Sequence, residues 1–180
     1  MYLLISIWGT GRREYSAIKF VIYGLVGSAM MLAGILLLYT NCGTFDMTLL
    51  PALVSPLPHA LSAAIFFLLF VCFAVKLPVF PLHTWLPDAH TDAPTAVSVI
   101  LAGVLLKMGG YGMIRVCLDF FPQIAREYAV ILVAFAVVSV LYGAAVTLRQ
   151  TDVKRLIAYS SISHMGYVLL GIFALSSMSL

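Results

Sequence analysis

Long apolar stretches alternate with short polar segments along this chain. Five of the stretches approach or exceed the ~20 apolar residues with which a helix crosses a bilayer. They run from Ile18 to Tyr39, from Ala60 to Trp85, from Thr95 to Ile114, from Tyr128 to Leu148 and from Leu156 to Ala174. The pattern predicts an all-α polytopic bundle of transmembrane helices, with five spans and room for a sixth, in a single transmembrane domain over residues 1–180.

The second stretch differs from the others because Lys76, Pro78 and Pro81 interrupt it. Proline lacks the backbone donor that a helix interior uses, and its ring clashes with the carbonyl group of the preceding turn. We therefore expect this span to be discontinuous and to be followed by a turn over Leu86–Asp92. Pro94 then suits the first position of the third helix, where no backbone donor is needed.

Two other segments are too short or too irregular to span a bilayer. Met1–Trp8 is apolar but lacks the basic region of a signal peptide, and we interpret it as the end of a helix that begins upstream. The sequence as a whole is therefore expected to be a fragment. Asn41–His59 is rich in proline and has no Lys or Arg, which is typical of a surface loop or a short interfacial segment.

The composition agrees with a protein of the lipid bilayer. Hydrophobic residues make up 63% of the chain and charged residues only 9%, against roughly 25% charge in an ordinary soluble domain. The net charge of +3 is spread over several loops, which indicates no nucleic-acid binding. Cys42, Cys72 and Cys117 are widely spaced, so the sequence supports neither a disulfide framework nor a thiolate metal site.

Basic residues are concentrated in alternate loops, which lie on one side of the predicted bundle. The loop Asn41–His59 has none, and by alternation residues 83–92 lie on the basic side and residues 115–127 opposite. Under the positive-inside rule the basic side is cytoplasmic, and a bacterial inner membrane is the expected location. The residues that define the basic side are Arg12, Arg13, Lys19, Arg149, Lys154 and Arg155.

Two lysines lie within or at the end of apolar runs. Lys107 is the only charged residue between Ala96 and Met108, and Lys76 ends the run that begins at Leu61. A charge at the bilayer centre costs from about 3 to more than ~10 kcal/mol, so such residues commonly mark ion or proton pathways. Burial favours the neutral amine and a nearby anion favours the ammonium form, which allows a protonation switch. Lys76 has the alternative of snorkelling to the surface.

Neither lysine has an obvious counter-ion in the sequence. No Asp or Glu falls within the apolar stretches, and a partner is therefore expected from outside this chain. Gly109, Gly110 and Gly112 follow Lys107 directly. Because glycine weakens a helix by about 1 kcal/mol relative to alanine, we expect the third helix to be loosened beside Lys107.

Histidines are further candidates for proton transfer because imidazole titrates near neutral pH. At helical spacing His164 shares a face with Ser160, Ser161 and Tyr167, a stripe that could hold water and pass protons along hydrogen bonds. A hydrogen bond that only packs two helices together is the equal alternative.

His83 and His90 flank the turn that follows the broken span. No cluster of acids or cysteines accompanies them, so a zinc site is not expected, and His59 is taken as an ordinary loop residue. The sequence also contains no phosphate-binding loop, nucleophile motif or set of redox-cofactor ligands. An enzyme that acts within this chain alone is therefore not expected.

One stretch resembles a known family closely. Ala74 to Tyr111 reads AVKLPVFPLHTWLPDAHTDAPTAVSVILAGVLLKMGGY and is similar to the core of the antiporter-like membrane subunits of respiratory complex I, NADH:quinone oxidoreductase. The combination of HTWLPDAH with LAGVLLKMGGYG resembles the branch called chain M or subunit 4 rather than chains L and N. Further agreement comes from IWGTGRREYSAIKF near the start and RQTDVKRLIAYSSISHMG at Arg149–Gly166, so the resemblance covers nearly the whole chain.

The resemblance implies a subunit of about fourteen helices, of which this chain matches the end of the fifth through the tenth, the broken span being the seventh. In the family the lysines matching Lys76 and Lys107 are central to the proton channel, and the former pairs with a glutamate of the fifth helix. That glutamate and a lysine of the twelfth helix are missing here. The histidines matching His83, His90 and His164 lie near the polar axis between neighbouring channels.

The resemblance also implies a function shared with partner subunits. The chain would translocate protons as part of NADH:quinone oxidoreductase and bind no redox cofactor itself, while NADH, FMN, iron–sulfur clusters and quinone belong to other subunits. The adjacent antiporter-like chains L and N are the expected neighbours. Two alternatives stay open: a subunit of a multisubunit sodium/proton antiporter, and a scaffold whose lysines only pair with acids of adjacent chains.

Overall fold

The computed structural model describes residues 1–174, and this part of the chain is folded into helices joined by short turns. The helices are α1 (Tyr2–Trp8), α2 (Arg13–Cys42), α3 (Leu50–Val54), α4 (His59–Lys76), α5 (Trp85–Asp92), α6 (Thr95–Leu118), α7 (Pro122–Glu127), α8 (Ala129–Leu148) and α9 (Val153–Phe173). Five of these, α2, α4, α6, α8 and α9, are long and apolar enough to cross a membrane. The predicted all-α transmembrane bundle is confirmed.

The predicted break in the second span is also confirmed. α4 ends at Lys76, and residues 77–84 are not helical before α5 begins. Pro78 and Pro81 lie in this interval, where each removes a backbone donor that a continuous helix would need. The lysine therefore stands at the last position of a helix that stops abruptly.

The turn predicted over Leu86–Asp92 was wrong, because these residues form most of α5. The side chains of Trp85 and Leu86 are fully buried, and the Trp85 indole N–H donates to the Val75 carbonyl oxygen at 2.9 Å. Pro87 is tolerated because it occupies the first turn, where helical donors have no partner within the helix. The burial of these side chains thus stabilises a short helix that the composition of the segment does not indicate.

The third span differs from its prediction in three ways. Pro94 is the N-cap of α6 rather than its first helical residue, and the helix continues to Leu118. The glycine-rich part does not loosen, since Leu106–Gly112 is regular α-helix. Instead, π-helical turns flank it over Leu101–Leu105 and Met113–Leu118, and π-turns within α-helices are often found at functional sites.

Two short helices lie within the connections between the long helices. α3 lies within the loop predicted over Asn41–His59, as an interfacial segment would, and α7 lies within the connection predicted over residues 115–127. α2 begins at Arg13, five residues before the predicted start at Ile18, so that its first turns contain charged residues. The fourth and fifth spans follow their predictions to within a few residues.

Close helix packing depends on small residues. α8 and α9 cross where Gly143 meets the backbone of Ser163 and Gly166 meets Val140. A methyl group built on Gly143 would come within 2.8 Å of the Ser163 nitrogen. Small residues at such crossings let two membrane helices approach closely and gain van der Waals contact.

The turns gather at two ends of the bundle. At the basic end, the Thr10 N–H donates to the Asp92 carbonyl oxygen, and the Lys154 ammonium group donates to the Ala93 carbonyl oxygen. At the opposite end, the His59 ring nitrogen lies 2.6 Å from a carboxylate oxygen of Glu127. The predicted alternation of loops is therefore confirmed as an arrangement of the bundle ends.

Candidate functional site

Lys76 lies at the break in the second span and turns toward α2. Its Nζ atom is 6.0 Å from the centre of the Phe20 ring, and a methyl group built on Gly24 would lie 3.9 Å from it. The side chain borders a cavity of about 240 Å³ between α2, α4 and α6. Residues lining this cavity include Ser28, Cys72, Met108 and Gly109.

Lys107 lies on α6 between the two π-helical stretches. Its ammonium group donates to the Ala102 carbonyl oxygen at 3.0 Å, which belongs to the first π-helical stretch. The residue is exposed on the surface of the described chain. A carbonyl oxygen stabilises the charged amine only in part, because it supplies a dipole and not a full negative charge.

The two lysine-bearing helices touch beside these residues. A methyl group built on Gly109 would approach the Leu77 backbone nitrogen to 2.9 Å and the Phe73 carbonyl oxygen to 3.1 Å. Only glycine therefore fits here without a shift of the backbone. Gly109 follows Lys107 by two residues and Leu77 follows Lys76 by one, so the contact fixes where the two lysines lie relative to each other.

Neither lysine forms an ion pair within residues 1–174. The ion pairs of this part of the chain join Lys19 to Asp88, His59 to Glu127 and Arg115 to Asp119.

His83 is buried in an aromatic environment. Its ring stacks on Phe80 at 5.6 Å and meets the edge of Tyr142 at 4.9 Å. The Nδ1 atom has no hydrogen-bond partner among residues 1–174. A buried, unpartnered ring nitrogen costs free energy unless water or another group satisfies it.

His90 is buried on α5, and its Nε2 atom likewise lacks a partner within residues 1–174. It borders a cavity of about 280 Å³ whose lining also includes Ser98, Ala102 and Lys154. Ala102 supplies the carbonyl group that binds Lys107. The Ser98 hydroxyl group donates to the His90 carbonyl oxygen at 3.2 Å, so His90 meets the first turn of α6, whereas Lys107 binds Ala102 in the next turn.

His164 does not join the other candidates, because it is exposed on α9. Ser161 donates back to the Ile157 carbonyl oxygen of its own helix, while Ser163 donates across to Val140 at 3.2 Å. Within the described residues, no hydrogen bond joins His164 to the polar stripe that its spacing predicted.

Sequence reasoning missed a row of polar contacts between α2 and residues 84–92, which we call the polar ladder. Its middle contact joins the Lys19 ammonium group to an Asp88 carboxylate oxygen at 2.6 Å, with only 21% and 26% of the two side chains exposed. The sequence alone assigns Lys19 only to the basic side of the bundle. A usable signal was present in the spacing, because three polar residues recur every fourth position. They are Thr84, Asp88 and Asp92, opposite Tyr23, Lys19 and Ser16.

These features are those of a multi-pass helical membrane protein with a discontinuous helix and lysines on two contacting spans. The chain belongs to the family described as NADH:quinone oxidoreductase/Mrp antiporter transmembrane subunits, whose sequence model matches residues 1–180. The resemblance inferred from the sequence is confirmed.

Curated relatives are similar over most or all of this chain. NADH-quinone oxidoreductase subunit M of Rickettsia felis is 45% identical over 174 residues, which cover 97% of this chain and 35% of the relative. NAD(P)H-quinone oxidoreductase chain 4 1 of Picosynechococcus sp. is 49% identical over 182 aligned positions, covering 100% of this chain and 34% of the relative. The chain thus spans about a third of the length of these relatives.

A solved structure shows the same arrangement of helices. A chain of respiratory complex I from Thermus thermophilus, determined with bound NADH, superposes with a TM-score of 0.86 at 34% identity. The match covers 96% of this chain and 37% of the other.

Proposed function

We propose that this chain is part of the membrane arm of a NADH:quinone oxidoreductase and moves protons through a relay that includes Lys76 and Lys107. Curated relatives with 45% and 49% identity carry the names of subunits of that complex. Oxidation of NADH and reduction of quinone take place in other subunits, which hold NADH, FMN, iron–sulfur clusters and quinone. This chain binds none of these cofactors.

The observation that carries the proposal is the contact of α4 and α6 at Gly109. It joins the helix that Lys76 ends to the helix that carries Lys107, and Lys76 borders a cavity of about 240 Å³ beside this contact. An amine in such a site accepts a proton when a negative charge approaches and releases it when that charge withdraws. Because Lys76 and Lys107 lack carboxylate partners within residues 1–174, the controlling charges come from other parts of the complex.

The buried histidines extend the relay in this proposal. His83 and His90 each keep an unpartnered ring nitrogen, and imidazole transfers protons near neutral pH. The proposed relay also includes His164, which is exposed on the described chain and is covered by a neighbouring segment in the complete complex. The expected neighbours are the adjacent antiporter-like chains L and N, and they pack on faces of the bundle that carry exposed apolar side chains, such as those of Leu25 and Val130.

The basic end of the bundle faces the cytoplasm in this proposal, and the membrane is a bacterial inner membrane. Support comes from the gathering of Arg12, Arg13 and Lys154 at one end, while the loop at the other end has no Lys or Arg from residue 41 to residue 59.

A subunit of a multisubunit sodium/proton antiporter is the second candidate. The family description names Mrp antiporters beside NADH:quinone oxidoreductase, and both lysines would serve either kind of complex. The names of the curated relatives favour the oxidoreductase.

The relay is tested by replacing Lys107 in the complete complex and measuring protons moved per NADH oxidised in sealed membrane vesicles. Lys107→Ala removes the amine, and Lys107→Arg keeps a positive charge that cannot be released. We expect both variants to lower the proton yield sharply, and Lys76→Ala to do the same. Arg126→Ala, an exposed position at the opposite end, is the control and keeps the yield of the unmodified complex.

A scaffold role predicts a different result. If Lys107 only paired with an acid of a neighbouring chain, Lys107→Arg would keep both assembly and proton yield, and the relay would be contradicted. Sodium-dependent proton exchange without NADH oxidation would instead support the antiporter.

A further inference from the structure

We propose that the turn before α2, together with the exposed face of α2 that follows it, binds one aminophospholipid of the phosphatidylethanolamine type. The phosphate group of the lipid lies on the guanidinium groups of Arg12 and Arg13, and its ammonium group lies on the Glu14 carboxylate. One acyl chain lies along α2 from Tyr15 to Leu25. The proposal requires only that the chain crosses a bilayer, and it does not depend on the proton relay.

Two arginine side chains are concentrated at this turn. Arg12 and Arg13 are both exposed, and neither belongs to an ion pair within residues 1–174. Arg13 donates to the Ile7 carbonyl oxygen at 3.0 Å, which uses only one of the five donors of its guanidinium group. Guanidinium groups bind phosphate through parallel pairs of hydrogen bonds, so the remaining donors suit a phosphate group.

The turn that carries the arginines is held in one conformation. The Thr10 N–H donates to the Asp92 carbonyl oxygen at 2.8 Å. Gly11 has a φ of +63°, and a methyl group built on it would lie 2.7 Å from an Asp92 carboxylate oxygen, so only glycine fits this left-handed position. Because the backbone is fixed before a ligand arrives, little conformational freedom is lost on binding.

The arginines border an open cleft of about 350 Å³ that contains groups of both charges. Glu14 carries the negative charge in this cleft and forms no ion pair within residues 1–174. Other charges nearby are already engaged, since Lys19 pairs with Asp88 in the polar ladder. Two guanidinium groups beside one carboxylate match a headgroup that carries a phosphate and an ammonium group. The lining residues are Gly11, Arg12, Arg13, Glu14 and Tyr15.

An exposed apolar stripe on α2 continues from the cleft. Tyr15, Ile18, Ile22 and Leu25 recur every three or four residues and therefore share one face of the helix, and between 51% and 64% of each residue is exposed. The ten residues from Tyr15 to Leu25 rise by about 15 Å, which is half of the ~30 Å hydrocarbon core of a bilayer. The stripe thus has the length of an acyl chain within one leaflet.

Tyr15 lies where the cleft meets the stripe. The Arg12 guanidinium carbon is 5.7 Å from the centre of the Tyr15 ring, and the Lys19 ammonium nitrogen is 5.6 Å from it. Tyrosine is enriched at the membrane–water interface because its ring is apolar and its hydroxyl group is polar. The position of Tyr15 therefore places the cleft at the depth of the lipid headgroups and the stripe at the depth of the acyl chains.

The test uses the complete complex in phosphatidylcholine vesicles with a trace of phosphatidylethanolamine that carries a photoreactive diazirine in one acyl chain. After illumination, mass spectrometry of peptides measures the cross-links to residues 15–25. We expect Arg12→Gln/Arg13→Gln to lower these cross-links by about fivefold for each arginine removed. The matched control is Arg149→Gln/Arg155→Gln, which removes the same charge from exposed positions at the same end and should leave the cross-links unchanged.

Equal losses in the two double variants would show a general attraction of lipid to the basic end, and this result would overturn the proposal. Normal cross-linking in Arg12→Gln/Arg13→Gln would overturn it as well. An absence of cross-links in the unmodified complex would show that a neighbouring chain covers the stripe, which also contradicts a lipid site. All four positions are exposed, so normal assembly is expected and is checked on native gels.

The headgroup is tested with Glu14→Gln and a second photoreactive lipid, phosphatidylglycerol, which has no ammonium group. We expect the unmodified complex to cross-link phosphatidylethanolamine in preference to phosphatidylglycerol, and Glu14→Gln to lose this preference. Equal cross-linking of the two lipids by the unmodified complex would overturn the assignment of an aminophospholipid.

A soluble anion is distinguished from a lipid by competition. Millimolar inorganic phosphate should leave the cross-links of the unmodified complex unchanged, because it lacks the acyl chain that the stripe binds. Loss of the cross-links in its presence would assign the cleft to a soluble phosphate and contradict the lipid site.

Discussion

Lys76 and Lys107 stand out among the residues of this protein, because a charge in an apolar run is costly wherever the helix lies. The pairing of Lys19 with Asp88 has no such local signal, since the two residues are 69 positions apart and meet only when α5 folds back on α2. The glycines after Lys107 predict a weakened helix, yet Gly109 is a point of close contact.

Gly109→Ala should weaken the junction of α4 and α6. The added methyl group would press on the backbone of Phe73 and Leu77, and overpacking of this kind costs about 1–3 kcal/mol. That exceeds the gain of about 1 kcal/mol that alanine brings to a helix. We expect a lower temperature of thermal inactivation for the purified complex and less assembled complex on native gels.

Gly103→Ala is the matched control for this prediction. It lies on the same helix, and a methyl group built there meets nothing within 4 Å. The thermal stability of the complex with Gly103→Ala should be unchanged or slightly raised. Equal effects of the two substitutions would show that helix propensity, and not the contact with α4, governs the position.

Helical elements were predicted well where apolar length decides them and poorly where tertiary contacts decide them. The five long helices follow from runs of apolar residues, and the break after Lys76 follows from proline chemistry. α5 was missed because its residues are mixed in polarity and gain their order from the burial of Trp85 and Leu86. The π-helical stretches of α6 have no dependable sequence signature. A π-turn holds about one residue more than an α-turn, and the packing of neighbouring helices decides where that residue is accommodated.

Deleting Gly103 should convert the first π-helical stretch to α-helix. A π-turn holds about one residue more than the α-turn it replaces, so the deletion would remove the extra residue and leave Gly109 facing Leu77. The Lys107 amine would then lie beside a regular α-helical turn in place of the widened one. We expect assembled complex in membranes, measured by native electrophoresis and immunoblotting, and a lowered proton yield.

The substitution Gly103→Ala is again the control, because it changes the same position without changing the number of residues in the helix. Normal assembly and normal proton yield in the deletion variant would contradict a role for the π-helical geometry.

The molecule as a whole has two chemically different ends. Contacts among the turn before α2, the end of α5 and the start of α9 gather the basic residues, whereas the end with the His59–Glu127 pair has a cavity of about 220 Å³ bordered by Pro51, Ser55 and Phe121. The distribution of Lys and Arg predicted this division, because alternate loops of a multi-pass protein share a side.

The orientation is tested with single cysteines in a variant of this chain that lacks Cys42, Cys72 and Cys117. Both Thr151 and Ser55 are exposed, at the basic and the opposite end respectively. A membrane-impermeant maleimide added to inside-out vesicles should label Thr151→Cys and spare Ser55→Cys, and right-side-out spheroplasts should give the reverse pattern. The opposite result would place the basic end outside.

Local features of the sequence predict the membrane environment, the number of long helices, the break after Lys76 and the family. These depend on local quantities, namely the apolar length of a segment, the position of proline and the recurrence of motifs. The tertiary structure alone shows that Gly109 joins the lysine-bearing helices and that Lys19 meets Asp88. Contacts of this kind depend on how distant segments pack, and an amphipathic pattern specifies which face is buried without specifying what it is buried against.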